Sequence, residues 1–503
     1  MQRLIVGAVA FALIFAMVAN IALFVQNTQL RQQARAATTS PQPAQLSPSQ
    51  DQSTQLADLQ QKLDRAEKDR IKASRDAAAA RGQLDQLQSA AQERDTLKGQ
   101  VQSLQQENTQ LRTEIGNLQT MNTINGQVSP LRGLPPLQNV PRTFMNHDQL
   151  RAYFTDELAK QWSPEDEQRQ RAVLRALDMG SPNTDLRKAQ IDDLVKNVLG
   201  FYDQNTKQLV IVTDRARMGV RDRVTYAHEF THSLQDQHYN LTAMFDRANG
   251  NSDYQMAIKA VVEGDATVTM GLYARKNLSA MDIANYQLEE FQSIDLSGVL
   301  SGGGGGPLTE SATYFPYREG AAFVDMLYED GGWNAVDAAF KRPPRSTEQV
   351  LHPERYYGGD EPIAVQLPNL ALGGSWRIVA EDTLGELYMR IYLEGHLPFE
   401  EAIPAGEGWG GDRYQVLADD QGHQALALQT AWDSPSEAQE FFAAYRGFVA
   451  ALGGGNVQAD GSHMRWQLAD RQVYVSLAGS QVLVLHAPDG ATLDTLIGQF
   501  KGF

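Results

Sequence analysis

The sequence predicts an α+β protein in four parts: an N-terminal transmembrane helix, a coiled-coil stalk, a mainly helical domain with a small β-hairpin, and a C-terminal α+β module. Three observations carry this reading. Leu4 to Val25 is a run of 22 residues broken only by Asn20, and roughly 20 apolar residues span a bilayer. From Gln52 to Asn122 the chain is rich in Gln, Leu, Ala and charge, lacks proline, and repeats apolar residues at heptad spacing. Helix-period segments then prevail to about residue 365, and alternating segments follow from about Ala380. The expected segments are 1–30 (anchor), 31–51 (linker), 52–122 (coiled coil), 123–143 (linker), 144–365 (helical domain) and 366–503 (C-terminal module).

Composition narrows the function classes. The chain has 503 residues, a net charge of −17 and a pI near 5.0. A general nucleic-acid binder needs a basic surface to neutralise phosphates, so no nucleic-acid partner is expected. The absence of cysteine excludes disulfides, thiolate catalysis and Cys-ligated metals. Histidine and carboxylate remain as the strong metal ligands.

The apolar run is longer than the roughly 7–15-residue core of a cleaved signal peptide. It predicts an uncleaved single-pass membrane anchor with the bulk of the chain outside the cytoplasm; cleavage after Ala34-Arg35-Ala36 is the alternative. Ala36 to Gln50 is a Ser-, Thr-, Pro- and Gln-rich spacer. In the stalk, Leu56, Leu59, Leu63 and Ala66, then Ala73, Ala77, Ala80, Leu84, Leu87 and Ala91, keep one heptad phase. The phase jumps by three residues, and Leu97, Val101, Leu104, Asn108, Leu111, Ile115 and Leu118 form a second register. Such a jump is a stammer, which overwinds a coiled coil locally. Asn108 at an a position favours one register and a homodimer; a single solvated helix is the alternative. Gly126, Pro130, Gly133, Pro135, Pro136 and Pro141 are expected to end the helix and mark a boundary.

Three helices are predicted over about 147–161, 164–178 and 184–198, the second opened by Ser163 as cap and Pro164 at its first position. Gly200 to Val212 reads as a hairpin turning at Asp203 to Lys207. Next comes the stretch on which the functional reading centres, His228-Glu229-Phe230-Thr231-His232. Val224, Ala227, Thr231 and Leu234 recur at helical spacing, so the helix is expected to be largely buried. Four residues is just over one helical turn, which puts His228 and His232 on one side. Two imidazoles so placed can bind one Zn²⁺, with Glu229 beside the metal's open position to take a proton from bound water.

The third ligand is expected from Glu263. Its helix, about Ser252 to Lys276, carries Ala257, Ala260, Gly264, Thr267 and Gly271 as a small-residue stripe suited to a close neighbour. A carboxylate beside that stripe, after two valines, needs a partner such as zinc. Here the chain resembles the gluzincins, whose HExxH helix is followed by a glutamate-bearing helix, and Val262-Glu-Gly-Asp-Ala266 is similar to their glutamate motif. It resembles more closely an uncharacterised family of prokaryotic membrane-anchored or secreted metallopeptidases, through His228 to Gln237, Val262 to Ala266 and Pro343 to Pro353. The resemblance covers roughly residues 147–362. It implies a zincin-like domain, Zn²⁺ at His228, His232 and Glu263, and Glu229 as base. One departure is Thr267, where thermolysin-like gluzincins carry an Asp supporting a zinc-bound His. Asp265 or Asp236 is expected in that role.

Ser279 to Glu310, with Gly302 to Gly306, reads as a surface loop or lid. Helices are expected from Tyr314 to about Gly331, from Trp333 to Phe340, and from Ser346, with Ser346 and Gln349 as a capping box. A donor to the developing oxyanion is needed besides the metal. Tyr314, Tyr317, Arg318 and His352 are the candidates, with Tyr317 and His352 preferred. The C-terminal module shows five alternating segments and three helical ones but no metal or nucleophile constellation, and reads as a binding module.

The expected activity is peptide hydrolysis on a peptide or protein substrate by a membrane-anchored zinc metallopeptidase. The alternatives are a zinc amidohydrolase acting on cell-wall peptides, and a non-catalytic coiled-coil scaffold with a degenerate peptidase fold.

Overall fold

The computed structural model describes residues 50–179, 185–213, 217–293 and 307–503. The described chain is mixed α+β. The expected membrane-spanning helix is a correction: no helix among the described residues is long and apolar enough to cross a membrane. The run Leu4 to Val25 that suggested it lies outside the described residues. The described chain instead opens on a helix dense in Gln, Asp, Arg and Lys, α1 (Gln50–Arg132), whose side chains have no place in hydrocarbon.

Contacts divide the chain into two units, residues 1–112 and 113–503. In the first unit the described structure is helix α1 alone, unbroken through the phase jump near residue 94. None of its residues from 51 to 111 is buried.

The second unit begins with the last turns of α1. The helix was expected to stop near Asn122, yet it runs through Gly126 and Pro130 to Arg132. Met121, Ile124 and Val128 explain this, because they are buried against Leu209, Ile211, Val224 and Ala227. Pro130 lies in the last turn, where it removes one i→i−4 bond at the end of the ladder, a loss that the burial of these residues offsets. Strand β1 (Arg142–Met145) follows, then α2 (His147–Gln161), α3 (Pro164–Ala176) and α4 (Leu186–Asn197). Ser163 caps α3 with Pro164 in the first turn, as its sequence requires. The hairpin is β2 (Gly200–Asp203) and β3 (Gln208–Val212), antiparallel, with Asp203 opposite Gln208. Strand β1, too short and proline-flanked to read in sequence, pairs parallel to β3, giving the order β1-β3-β2 with β2 at the edge.

The central helices are α5 (Val220–Tyr239), α6 (Leu241–Asp246), α7 (Ser252–Asn277), α8 (Ala280–Ser293) and α9 (Pro307–Lys341), the last kinked at Gly332. Helix α8 occupies part of the stretch expected to be a loop; Gly302 to Gly306 lie outside the described residues. Helices α7 and α9 touch backbone to backbone. A Cβ at Gly264 would overlap the Gly320 carbonyl, and a Cβ at Gly320 would overlap that of Ala260. Two short helices come next, α10 (Thr347–Leu351) and α11 (Pro353–Gly358). Ser346 caps α10, but the Gln349 side chain accepts from the Arg345 amide rather than the cap's own N–H, so the expected box is shifted by one residue.

The C-terminal part has β4 (Arg377–Asp382), α12 (Gly385–Glu394), α13 (Phe399–Gly406), β5 (Trp409–Ala418), β6 (Gln424–Trp432) and α14 (Pro435–Ala451). It continues with β7 (Val457–Ala459), β8 (His463–Gln467), β9 (Gln472–Ala478), β10 (Gln481–Ala487) and α15 (Gly490–Ile497). These strands form one antiparallel sheet in the order β4-β5-β6-β10-β9-β8-β7. The boundary expected near residue 366 falls inside a continuous core. Ile258 and Val261 of α7 and Phe323 and Leu327 of α9 belong to the same apolar cluster as Val416, Leu428 and Phe441 beyond it.

Buried carboxyls fasten this junction. Asp253 Oδ1 accepts from the Thr347 amide (2.9 Å) and hydroxyl (2.5 Å), and Gly385, at φ +71°, packs against the same carboxyl. Burial pushes Asp253 up to about 8 against those bonds, and Asp412 to about 6 against bonds from the Leu384 and Gly385 amides. Both lie above the roughly 3.9 of an unfolded Asp. The folded state therefore holds protons that the unfolded state releases, and this stability is complete near pH 4 and lost as pH rises through about 6 and 8. Melting temperatures followed from pH 5 to 8 should fall more steeply for the native chain than for Asp253→Asn; equal slopes would refute this assignment.

Candidate metal centre

Helix α5 supplies three of the expected groups. Val224, Ala227, Phe230 and Leu234 share an apolar core with Leu209 and Ile211 of β3, while Gln235 and the two histidines bond to α7, so the whole stretch from Tyr226 to Asp236 is buried. His228 and His232 sit one turn apart, ring centroids 4.6 Å from each other. Helix α7 crosses α5 and delivers Glu263 to the same point. The Glu263 Oε2 atom is 3.1 Å from His228 Nε2 and 3.2 Å from His232 Nε2, and the two ring nitrogens are 3.0 Å apart. A tetrahedral zinc with bonds of ~2.0–2.1 Å needs ligand–ligand edges of about 3.3 Å. The three atoms thus form nearly the triangle that the ion requires.

The tautomer agrees. His232 Nδ1 lies 2.8 Å from Gln235 Oε1, which can only accept, so Nδ1 carries the proton and Nε2 of the neutral ring offers its lone pair. Lone pairs converging with a carboxylate oxygen need a cation among them, and a proton on Nε2 fills that place unless a metal ion displaces it. Burial works against a charged His232, but the Glu263 carboxylate outweighs it and raises the ring to about 9. Burial likewise opposes the charge on Glu263, and the two imidazoles override it and hold the carboxyl well below its usual range. The donor set and its spacing fit Zn²⁺.

Glu229 is buried beside the pair, its carboxylate within 4.8 Å of both imidazole donors. Burial, only partly offset by His232 and His228, pushes its pKa above the ordinary carboxylate range. The backbone amide of Tyr202, in edge strand β2, donates to it. Asp236 holds that strand in place, accepting from the Tyr202 hydroxyl (2.9 Å) and Lys207 (2.5 Å). Asp236 therefore buttresses the hairpin rather than a ligand histidine.

The outer support of His232 runs through Gln235, which sequence reasoning missed. Gln235 Nε2 donates to Asp265 Oδ2 (2.8 Å) and to the Val262 carbonyl (3.0 Å), tying α5 to α7. Asp265 Oδ1 accepts from Arg132 Nε (2.6 Å), and Arg132 also donates to Asp337 (2.8 Å) under the Trp333 ring, 4.4 Å away. The carboxylate expected behind the histidine is thus Asp265, acting through an amide. Gln235 stands one turn after His232, a spacing that could have exposed it; Arg132 gave no such signal, because its segment reads as linker. Replacing Gln235 by Leu should weaken zinc binding by roughly 10–100-fold with the fold retained. Competition with a chromophoric chelator measures this, and unchanged affinity would dismiss the relay.

The two preferred oxyanion donors part company. Tyr317 on α9 reaches the centre: its ring centroid is 6.1 Å from that of His228, and its hydroxyl bonds Glu263. The residue is 39% exposed, but desolvation at its hydroxyl end and the neighbouring carboxylates Glu263 and Glu229 raise its pKa, so it stays a protonated donor. His352 does not reach it. Its ring pairs with Glu386 (3.1 Å) and Arg390 (3.3 Å) of α12, because the residue caps α11 at the junction with the C-terminal sheet. Arg318 pairs with its neighbour Glu319 (2.6 Å), and Tyr314 is exposed. A second acidic group, Glu348, Asp360 and Asp433, surrounds Arg355 at 3.3, 2.7 and 2.5 Å, so each of its carboxyls already contacts that guanidinium.

Comparison with known families finds a domain of unknown function (DUF8575) matching residues 376–497, which spans the C-terminal sheet and its helices and none of the metal-centre residues. No curated protein and no solved structure matches the chain.

Proposed function

We propose that this chain is a zinc metallopeptidase of the HExxH-and-glutamate type. The observation that carries the reading is the mutual approach of His228 Nε2, His232 Nε2 and Glu263 Oε2 to within 3.0–3.2 Å, from two helices, with Glu229 alongside. His228, His232 and Glu263 would hold the ion. When bound, zinc lowers the pKa of a water and polarises the scissile carbonyl.

The chain's own residues do the rest. Glu229, buried and of raised proton affinity, takes a proton from the attacking water and passes it to the leaving amine. The Tyr317 hydroxyl donates to the oxygen on which negative charge develops. Strand β2 has β3 on one side and no strand on the other among the described residues, so an extended substrate can align along it. The Tyr202 amide links that strand to Glu229 and so places base and substrate backbone together.

Metal analysis of the purified chain tests the proposal, together with a cleavage panel of unfolded proteins, peptide libraries and peptidoglycan. Near-stoichiometric zinc and chelator-sensitive cleavage of peptides are expected. A chain that takes up no zinc would overturn the reading. Cleavage restricted to cell-wall peptides would move it to the amidohydrolase class.

A further inference from the structure

We propose that helix α1 pairs with α1 of a second copy of this chain as a parallel, in-register coiled coil. Leu97, Val101, Leu104 and Leu111 are 51–62% exposed and stand at the a and d positions of one seam. Leu56 and Leu87 are exposed on the seam of the preceding register. A helix that is only a solvated rod would not keep one apolar stripe bare over so many turns.

Charge selects the occupant and its direction. In a parallel pair each g residue faces the e residue of the partner's following heptad. The first register then sets Lys62 opposite the partner's Glu67, and Asp76 opposite the partner's Arg81. The second sets Glu93 opposite the partner's Lys98, and Glu107 opposite the partner's Arg112. All four pairs are of opposite sign, and the remaining g–e positions of these registers put no like charges together. In the second register the charged g residues are all acidic (Glu93, Glu107, Glu114) and the charged e residues all basic (Lys98, Arg112). Laying that half antiparallel on its own copy would set acid beside acid. Some of these groups already have partners within the helix, Lys62 with Asp58 (2.8 Å) and Glu67 with Arg70 (3.5 Å). Both are surface pairs, which the partner's charge can share or replace. Asn108, at an a position inside this seam, faces its own copy only when the two helices are in register.

The chain has no cysteine, so an introduced pair reports geometry without background. In the full chain, Leu104→Cys should oxidise to a covalent dimer, whereas Gln106→Cys, on the outer face, should not. Sedimentation equilibrium should give a dimer at micromolar concentration. Glu107→Lys should raise its dissociation constant by about ten-fold, and adding Arg112→Glu should restore it. Unchanged circular dichroism shows that the helix itself is intact in each variant. A monomer, a trimer, or cross-linking at Gln106 as fast as at Leu104 would overturn the proposal. None of these outcomes depends on zinc or on hydrolysis.

Discussion

Glu229→Gln should leave the zinc content of the chain unchanged and remove its peptide hydrolysis. The substitution keeps size and hydrogen-bonding shape at a buried site but deletes the proton acceptor. General-base removal costs roughly 100- to 10,000-fold in rate, which should place residual cleavage near the detection limit. His232→Ala should lose both metal and activity, because it takes away one corner of the His228–His232–Glu263 triangle. Metal analysis beside a peptide-cleavage assay separates the two results. A Glu229→Gln chain that cleaves as fast as the parent would remove Glu229 from the mechanism; a His232→Ala chain that keeps full zinc would remove the centre.

Gly264→Ala should be among the most damaging single-methyl additions in the molecule. The new Cβ overlaps the Gly320 carbonyl, which belongs to another backbone and has no flexible end to swing away. Helices α7 and α9 would have to separate, at a cost of about 2–4 kcal/mol. The two helices carry Glu263 and Tyr317, so zinc affinity should fall with stability. Gly271→Ala is the internal control. It lies on the same helix two turns later with nothing near its Cβ position, and should gain about 0.5–1 kcal/mol from helix propensity alone. Denaturant titration of both variants measures this; equal stabilities would mean that the helices do not cross as described.

What could be read in the sequence was what local pattern encodes. The spacing of His228 and His232 fixes their common face whatever surrounds them, and the small residues around Gly264 announce a close helix neighbour. Caps such as Ser163 and the turn at Asp203 to Lys207 are equally local. What failed to show depended on distant partners. Met121 looks like the end of a stalk, and Ile124 and Val128 like fragments of a linker, until Leu209 and Val224 cover them. Strand β1 exists because β3 offers it an edge. Arg132 has meaning only through Asp265 and Asp337. Between Tyr317 and His352, both expected near helix ends, sequence had no means of choosing; the crossing of α7 and α9 brings one to the centre and leaves the other with Glu386. The transmembrane expectation rested on composition over residues that the structure does not describe.

The single core beneath α7, α9 and the seven-stranded sheet has a genetic consequence. A product ending before residue 376 would keep His228, His232 and Glu263 yet leave Ile258, Val261, Phe323 and Leu327 without the wall they pack on. Asp253 and Ser252 would also lose their neighbours at Gly385 and Asp382. Such a fragment should fold poorly and be degraded. Nonsense mutations late in the coding sequence should therefore behave as full loss of the protein, and screens for dominant-negative fragments should recover none that end there.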